Sequence, residues 1–316
     1  MWRLRFAGVL FAAGLAVGTV CAQEYPTKVI RVLTSAPASN NDFVIRMLTP
    51  IVSQALGQQL VVENRGGLSA ELVAKSPADG YTLLSYGTAV WLAPFMRDTV
   101  GYDPEDLIPV TLLTRSPNII VVHPSLPVKN VEDLIVLAKK RPGQLNYAAG
   151  TLGATPHLAA ELFKSMTGVH IVNIAYKGTG PALNGLMAGE TEVMFPTSGS
   201  VRQHLNSGRL RAIGIATLKP SLQFPELPLV TDTVPGYQSA GTIGLYAPAK
   251  TPPAIVNRLN REVVRALNLP DVKKRFIAAG IEPIGDTPEE ALAMMKSETA
   301  RLGKVINDAG IRGPGE

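Results

Sequence analysis

From residue 28 onward, short apolar runs alternate with longer amphipathic ones. Val29-Ile30-Arg31-Val32-Leu33, Leu60-Val61-Val62-Glu63, Tyr81-Thr82-Leu83-Leu84 and Ile119-Ile120-Val121-Val122 are rich in β-branched residues and bounded by turn formers. Ile171 to Ala175, Val193-Met194-Phe195 and Ile213-Gly214-Ile215 repeat the pattern. Runs this continuous predict parallel strands buried on both faces. Between them, Val44, Met47, Leu48, Ile51, Val52 and Ala55 fall on helical spacing, with Gly57 placed to stop the helix. Pro50 lies inside that segment and predicts a kink, because it has no N–H for the carbonyl of Arg46. Asn130 is a cap for Val131 to Lys139, and Pro142-Gly143 forces a turn. Thr287, Pro288 and Glu290 form a capping box ahead of the apolar positions Leu292, Met295, Leu302, Val305 and Ile306. This alternation predicts α/β layers, with helices covering mostly parallel sheets.

The N-terminus breaks the rhythm. Arg3 and Arg5 precede an almost wholly apolar run from Phe6 to Val20, and Val20-Cys21-Ala22 suits signal cleavage, so residues 1–22 read as an export signal with the mature start near Gln23. The run falls short of the about 20 residues that a membrane span needs. Cys21 is the single cysteine and would leave with the signal, so a disulfide, a thiolate nucleophile or a cysteine metal site is not expected. Loss of Arg3 and Arg5 lowers the formal charge from +5 to +3, and no basic cluster is interleaved with aromatics, which argues against nucleic acid. His123, His170 and His204 lack metal-ligand spacing. No Gly-x-Ser-x-Gly elbow, phosphate-binding Lys loop or dinucleotide fingerprint is present, so the sequence is read as that of a protein that is not an enzyme, with no cofactor and no metal.

A mature chain of this length suggests two domains. His123-Pro124-Ser125-Leu126-Pro127 suits a crossover, and Ser239 to Pro248 suits a strand returning before the C-terminal helices. The expected division is a discontinuous first domain, residues 23–123 plus 240–316, and an inserted second domain, residues 124–239. A ligand cleft would lie at the carboxyl ends of the strands.

Two strand-to-helix junctions carry the candidate chemistry. One is Thr34 to Asp42, with Ser39, Asn40, Asn41 and Asp42 at its end. The other is Gly150 to Thr155, with Thr151, Leu152, Gly153 and Thr155 ahead of Pro156-His157. Both present unpaired backbone N–H groups at a helix start, where a carboxylate can be held without arginine. Each junction taken singly is equally an ordinary N-cap. Asp42 would repel an anion and suits an ammonium or ordered water instead. His157 can donate to a carboxylate or serve as a structural histidine. Lys177 could attract an anion, although an exposed loop lysine is commoner. Thr88, Thr197 and Ser198 complete the candidate ligand-binding set.

Read in order, the motifs resemble the Bug-type solute-binding proteins of tripartite tricarboxylate transporters. They include Tyr25-Pro26-Thr27-Lys28, Val61-Val62-Glu63-Asn64-Arg65, Ser76-Pro77-Ala78-Asp79-Gly80-Tyr81 and Tyr102-Asp103-Pro104. Glu161-Leu162-Phe163-Lys164, Tyr176-Lys177-Gly178, Gly208-Arg209-Leu210-Arg211-Ala212 and Ala247-Pro248-Ala249-Lys250-Thr251-Pro252 follow. The resemblance implies a two-domain periplasmic binding protein, type II-like, with a hinge and a small carboxylate held by loops and bridging waters. It also implies a monomer that delivers its ligand to the large and small membrane subunits of a permease. A periplasmic sensor signalling to a membrane kinase shares the same fold and stays open. Four departures stand out: Ala38-Ser39 replaces the family's Gly-Gly pair, Ala149 and Thr151 stand where serine and glycine are common, Thr242 stands where tryptophan is common, and the glycine-rich stretch after Arg65 is shortened. The shortened stretch predicts a pocket more open on that side, suited to a bulkier acid.

Overall fold

The computed structural model describes residues 25–37, 39–150, 153–221 and 223–311, so the signal expectation for residues 1–22 lies outside the described residues. In chain order the strands are β1 (Ile30–Thr34), β2 (Leu60–Asn64), β3 (Thr82–Gly87), β4 (Leu107–Pro117), β5 (Ile119–Val122) and β6 (Asn146–Ala149), then β7 (Val172–Ala175), β8 (Val193–Met194), β9 (Arg211–Ile215), β10 (Ala240–Pro248) and β11 (Glu282–Pro283). The helices are α1 (Asn40–Leu56), α2 (Ser69–Ala74), α3 (Ala89–Met96), α4 (Val131–Lys140), α5 (Thr155–Thr167), α6 (Thr179–Ala188), α7 (Ser198–Asn206), α8 (Pro253–Leu267), α9 (Pro270–Ala278) and α10 (Pro288–Asp308).

The strands form two sheets, with orders β11-β4-β10-β3-β1-β2 and β7-β6-β8-β5-β9. Each is covered on both faces. In the first sheet Ile30, Val32 and Leu83 pack with Val44, Leu48 and Val52 of α1 and with Leu259 and Val263 of α8. Leu33 and Leu84 point the other way, against Ala70, Val73, Trp91 and Met295. The second sheet splits likewise, with Ile120, Val122 and Tyr147 on one face and Ile119, Val121 and Ala148 on the other. Two-sided burial accounts for the continuous apolar runs in the sequence.

Both sheets are mixed rather than mostly parallel. β1 pairs parallel with β2 and β3, but β10 runs antiparallel between β3 and β4, and β5 runs antiparallel between β8 and β9. The reversals arise because the chain leaves the first sheet on β4 and re-enters it on β10. The outgoing passage also falls earlier than His123. Ile119–Val122, assigned from sequence to the first domain, pairs in the second sheet. The passage is at Asn118, which is 1% exposed. Asn118 N–H donates to the Ser239 carbonyl (2.9 Å) and Asn118 Nδ2 to the Phe195 carbonyl (2.7 Å), while Ser239 Oγ donates to Asn118 Oδ1 (2.9 Å). Outgoing and returning strands are thus pinned to each other where they cross.

Local signals set the helix ends. Ser39 Oγ accepts from Asp42 N–H, and Gly57 closes α1 at φ 69°. α1 runs through Pro50, and Thr49 Oγ1 donates to the Arg46 carbonyl that proline cannot serve (3.3 Å). Asn130 caps α4, and the Thr287/Glu290 capping box opens α10. α10 begins on the first lobe through Ala291 and Met295 and ends against the second through Val305. Between these ends Leu302 and Ile306 pack with Leu92 and Met96 of α3 and Leu158 of α5. This apolar cluster joins the lobes a third time. Among the described residues no helix is long and apolar enough to cross a membrane.

Candidate functional site

Four helices aim their N-termini at one cavity of about 210 Å³ between the lobes. Asn40 and Asn41 bring the start of α1, and Thr88 and Ala89 the start of α3. Gly153, Ala154 and Thr155 bring the start of α5, and Thr197 the start of α7. Tyr86, Gly87, Ser116, Gly241, Thr242 and Ile243 complete the wall. Among the described residues no lysine, arginine, histidine, aspartate or glutamate lines it.

α1 has its side-chain cap, but α3, α5 and α7 have none. Uncapped first-turn N–H groups and the positive ends of helix dipoles therefore face a shared space, which is the arrangement that binds anions. Gly241 faces the second lobe at ordinary contact distance. A Cβ there would lie 3.4 Å from Thr197 Cγ2 and 3.5 Å from Thr155 Oγ1 across the cleft. Tyr86, half-buried, and Ile243 give an apolar flank. Burial raises the Tyr86 phenol above its ordinary value, with Arg97 opposing, so it is a neutral hydroxyl at physiological pH.

Of the residues expected from sequence, Asn40, Asn41, Thr88, Gly153, Thr155 and Thr197 meet at this cavity. Thr151 and Leu152 lie outside the described residues. The remaining five do not line it, each for a visible reason. Ser39 is occupied as the α1 cap and by a 2.7 Å hydrogen bond with Ser35 Oγ. Asp42 is turned into the protein, where Oδ1 accepts from Arg46 Nε (2.8 Å) and Asn64 Nδ2 (2.8 Å). His157 is 3% exposed and its Nδ1 accepts from Gly153 N–H (3.0 Å). Ser198 Oγ donates to the Gly280 carbonyl (2.7 Å), tying α7 to the first lobe. Lys177 is exposed in the loop before α6. The shortened stretch after Arg65 forms a short 3₁₀ turn and α2, and contributes no residue to the wall. Its length therefore gives no ground for a more open pocket.

Ser116, Gly241 and Ile243 escaped the sequence reading because they belong to strands, near the end of β4 and the start of β10; Thr242 is marked in the sequence only as a departure from the family's tryptophan. Tyr86 and Gly87, at the end of β3, adjoined the residue that was singled out, Thr88. Among the described residues no cluster of three or more acidic, histidine or cysteine side chains forms a metal site.

Two lobes joined at Asn118, enclosing an uncharged cavity ringed by helix N-termini, define a solute-binding receptor of the periplasmic binding protein class. The sequence pattern of the tripartite tricarboxylate transporter family receptors, TctC, matches residues 44–311. BugT of Bordetella pertussis is 32% identical over 318 residues, covering 98% of each chain. The structure of Rpa4515 of R. palustris with adipate superposes with a TM-score of 0.80 at 34% identity, covering 92% of this chain and 99% of that one. MatC (Rpa3494) from Rhodopseudomonas palustris with bound malate gives 0.74 at 28% identity, covering 89% and 100%. The chain belongs to the TctC receptor family, whose members are periplasmic and bind solutes rather than transforming them.

Proposed function

We propose that this protein captures a small carboxylate-bearing molecule in the periplasm, closes its lobes around it, and delivers it to the membrane subunits of a tripartite transporter. The observation that carries the reading is the convergence of four helix N-termini, three of them without side-chain caps, on a cavity with no charged side chain. A carboxylate satisfies those N–H groups; an apolar or cationic ligand leaves them unpaired, at about 1–3 kcal/mol per buried group. The cavity lies below the roughly 300–1,000 Å³ usual for drug-sized ligands, in keeping with a small metabolite. Two similar proteins hold dicarboxylates, adipate in one and malate in the other.

The starts of α1 and α3 come from one lobe and those of α5 and α7 from the other. A ligand bridging them favours the closed arrangement through its differential contacts. Asn118 and the cluster around Leu302 act as the pivot.

Calorimetric titration with adipate, malate and citrate tests the ligand class, with adipamide as the uncharged control. The expected result is binding of at least one acid and at least tenfold weaker binding of the amide, because hydrogen bonds to a charged group are worth roughly 1.5–3 kcal/mol. Equal affinity for adipate and adipamide would refute anion recognition. Co-purification with the transporter's membrane subunits, lost when the lobes cannot close, tests delivery.

A further inference from the structure

α5 opens without help from its cap residue, since Ala154 has no side-chain acceptor. The third helical residue instead reaches back. His157 Nδ1 accepts the N–H of Gly153, the residue before the cap, at 3.0 Å. This is a variant of the capping box, in which the third side chain satisfies a backbone donor ahead of its helix. The geometry fixes the tautomer: Nδ1 is the acceptor, so the neutral ring carries its proton on Nε2.

Gly153 is held from both sides. Its φ of +74° is a left-handed conformation, and a Cβ there would run into Met96 Sδ of the opposite lobe. Gly153, Ala154 and Thr155 all line the cavity. The histidine therefore stands one hydrogen bond behind the wall.

The groups around the ring are few. On its own helix are Glu161 and Lys164, joined at 2.7 Å. On β6, Tyr147 stacks at 6.3 Å and donates to Glu161 Oε1 (2.6 Å). The adjoining Leu158 packs with uncharged Met96 of α3 and apolar Leu302 and Ile306 of α10, where Arg301 is paired with Glu298 (2.7 Å). Burial lowers the His157 pKa, with Glu161 opposing and Lys164 adding to the shift. Burial thus favours the neutral acceptor. A protonated ring would set two N–H donors against each other.

We propose that His157 is the positioning residue of the α5 wall: its unprotonated Nδ1 pins Gly153 N–H and so aims the Ala154 and Thr155 N–H groups into the cleft. The inference rests on the reading that these groups grip a carboxylate. His157→Asn places an acceptor near Nδ1 without a titrating ring, whereas His157→Leu removes the acceptor at similar bulk. Adipate affinity and the Gly153 amide resonance of the full mature chain are followed from pH 8 downward. In wild type, the Gly153 amide should be protected from exchange and lose protection as His157 titrates, below the ordinary histidine range. His157→Leu should lose that protection at every pH and bind adipate on the order of tenfold more weakly. His157→Asn should recover most of both, and its Gly153 protection should not fall with acid; adipate affinity itself falls with acid in every variant, because the diacid is protonated too. An unprotected Gly153 amide in wild type, or unchanged protection in His157→Leu, would overturn the proposal. So would an acid-dependent loss of Gly153 protection that persists in His157→Asn. If wild type binds none of adipate, malate and citrate, the ligand reading is what fails, and the amide resonance judges His157 by itself.

Discussion

Replacing Thr155 separates a backbone donor from a side-chain one at the centre of the cleft. Thr155 is the first residue of α5, and its N–H has no hydrogen-bond partner among the described residues. Proline at this position therefore removes no intramolecular bond. It is favoured sterically too: proline suits the first helical position, and Ala154, at φ −69° and ψ 159°, already has the extended conformation that a residue before proline adopts. Folding stability should be nearly unchanged. Binding should not be, because a backbone donor to a carboxylate is lost, at roughly 1.5–3 kcal/mol or about 10- to 150-fold in Kd. Thr155→Ala keeps the N–H and loses the hydroxyl and methyl that stand near Gly241 across the cleft, so its loss should be smaller. Titration calorimetry with the acid that wild type binds, alongside thermal melts of all three proteins, reads both quantities. Wild-type affinity in Thr155→Pro would show that this N–H does not face the ligand. Unfolding of Thr155→Pro would show that the helix start is not as free as its geometry indicates.

Closure about Asn118 should reduce the radius of gyration when ligand is added, and identical scattering profiles with saturating ligand would count against a closing cleft. Acid should weaken the first lobe at the clamp between β1 and β2. Glu63 is held at about 2, from an ordinary 4.5, by its hydrogen bonds to Arg31, with burial opposing and Arg65 adding to the lowering. A carboxylate with a depressed pKa stabilises the fold above its unfolded value, and that contribution disappears as pH falls through the folded one. Urea melts of wild type and Glu63→Gln should therefore differ at neutral pH and converge towards pH 2; a constant difference would show that the clamp is not electrostatic. The exported protein should begin at or near Gln23 and carry no thiol, and intact-mass measurement finding Met1 or a lipid-modified Cys21 would contradict that reading.

Much of the architecture was legible because it is written locally. β-branched runs gave β1, β2, β3, β5 and β9, and Ser39, Asn130 and Thr287 marked helix starts through side chains that bond their own backbone three residues on. β4 was not legible, although it is the longest strand. Pro109 and Pro117 interrupt its pattern, and Pro109 is tolerated beside a register irregularity opposite Tyr246, where a missing N–H costs least. β6, Asn146-Tyr147-Ala148-Ala149, lacks β-branched residues and is a strand because parallel neighbours β7 and β8 flank it.

The sequence by itself marked the starts of α1, α4, α5 and α10, and so placed Asn40, Asn41 and Thr155 at helix starts. Only the tertiary structure decided which polar side chains near those starts remain for a ligand. Asp42, His157 and Ser198 looked equally available along the chain, yet each is consumed by a partner: Arg46 and Asn64, the Gly153 N–H, and the Gly280 carbonyl. The physical reason is that a buried polar group must find a partner wherever the fold supplies one. The partner of Ser198 lies 82 residues away. Asn64, a partner of Asp42, lies 22 residues away; Arg46 and Gly153 lie close along the chain, but which way each side chain turns is set by the packing around it. Ser116 and Gly241 joined the site by the converse route, carried to the cleft by strands that no local pattern marks as functional.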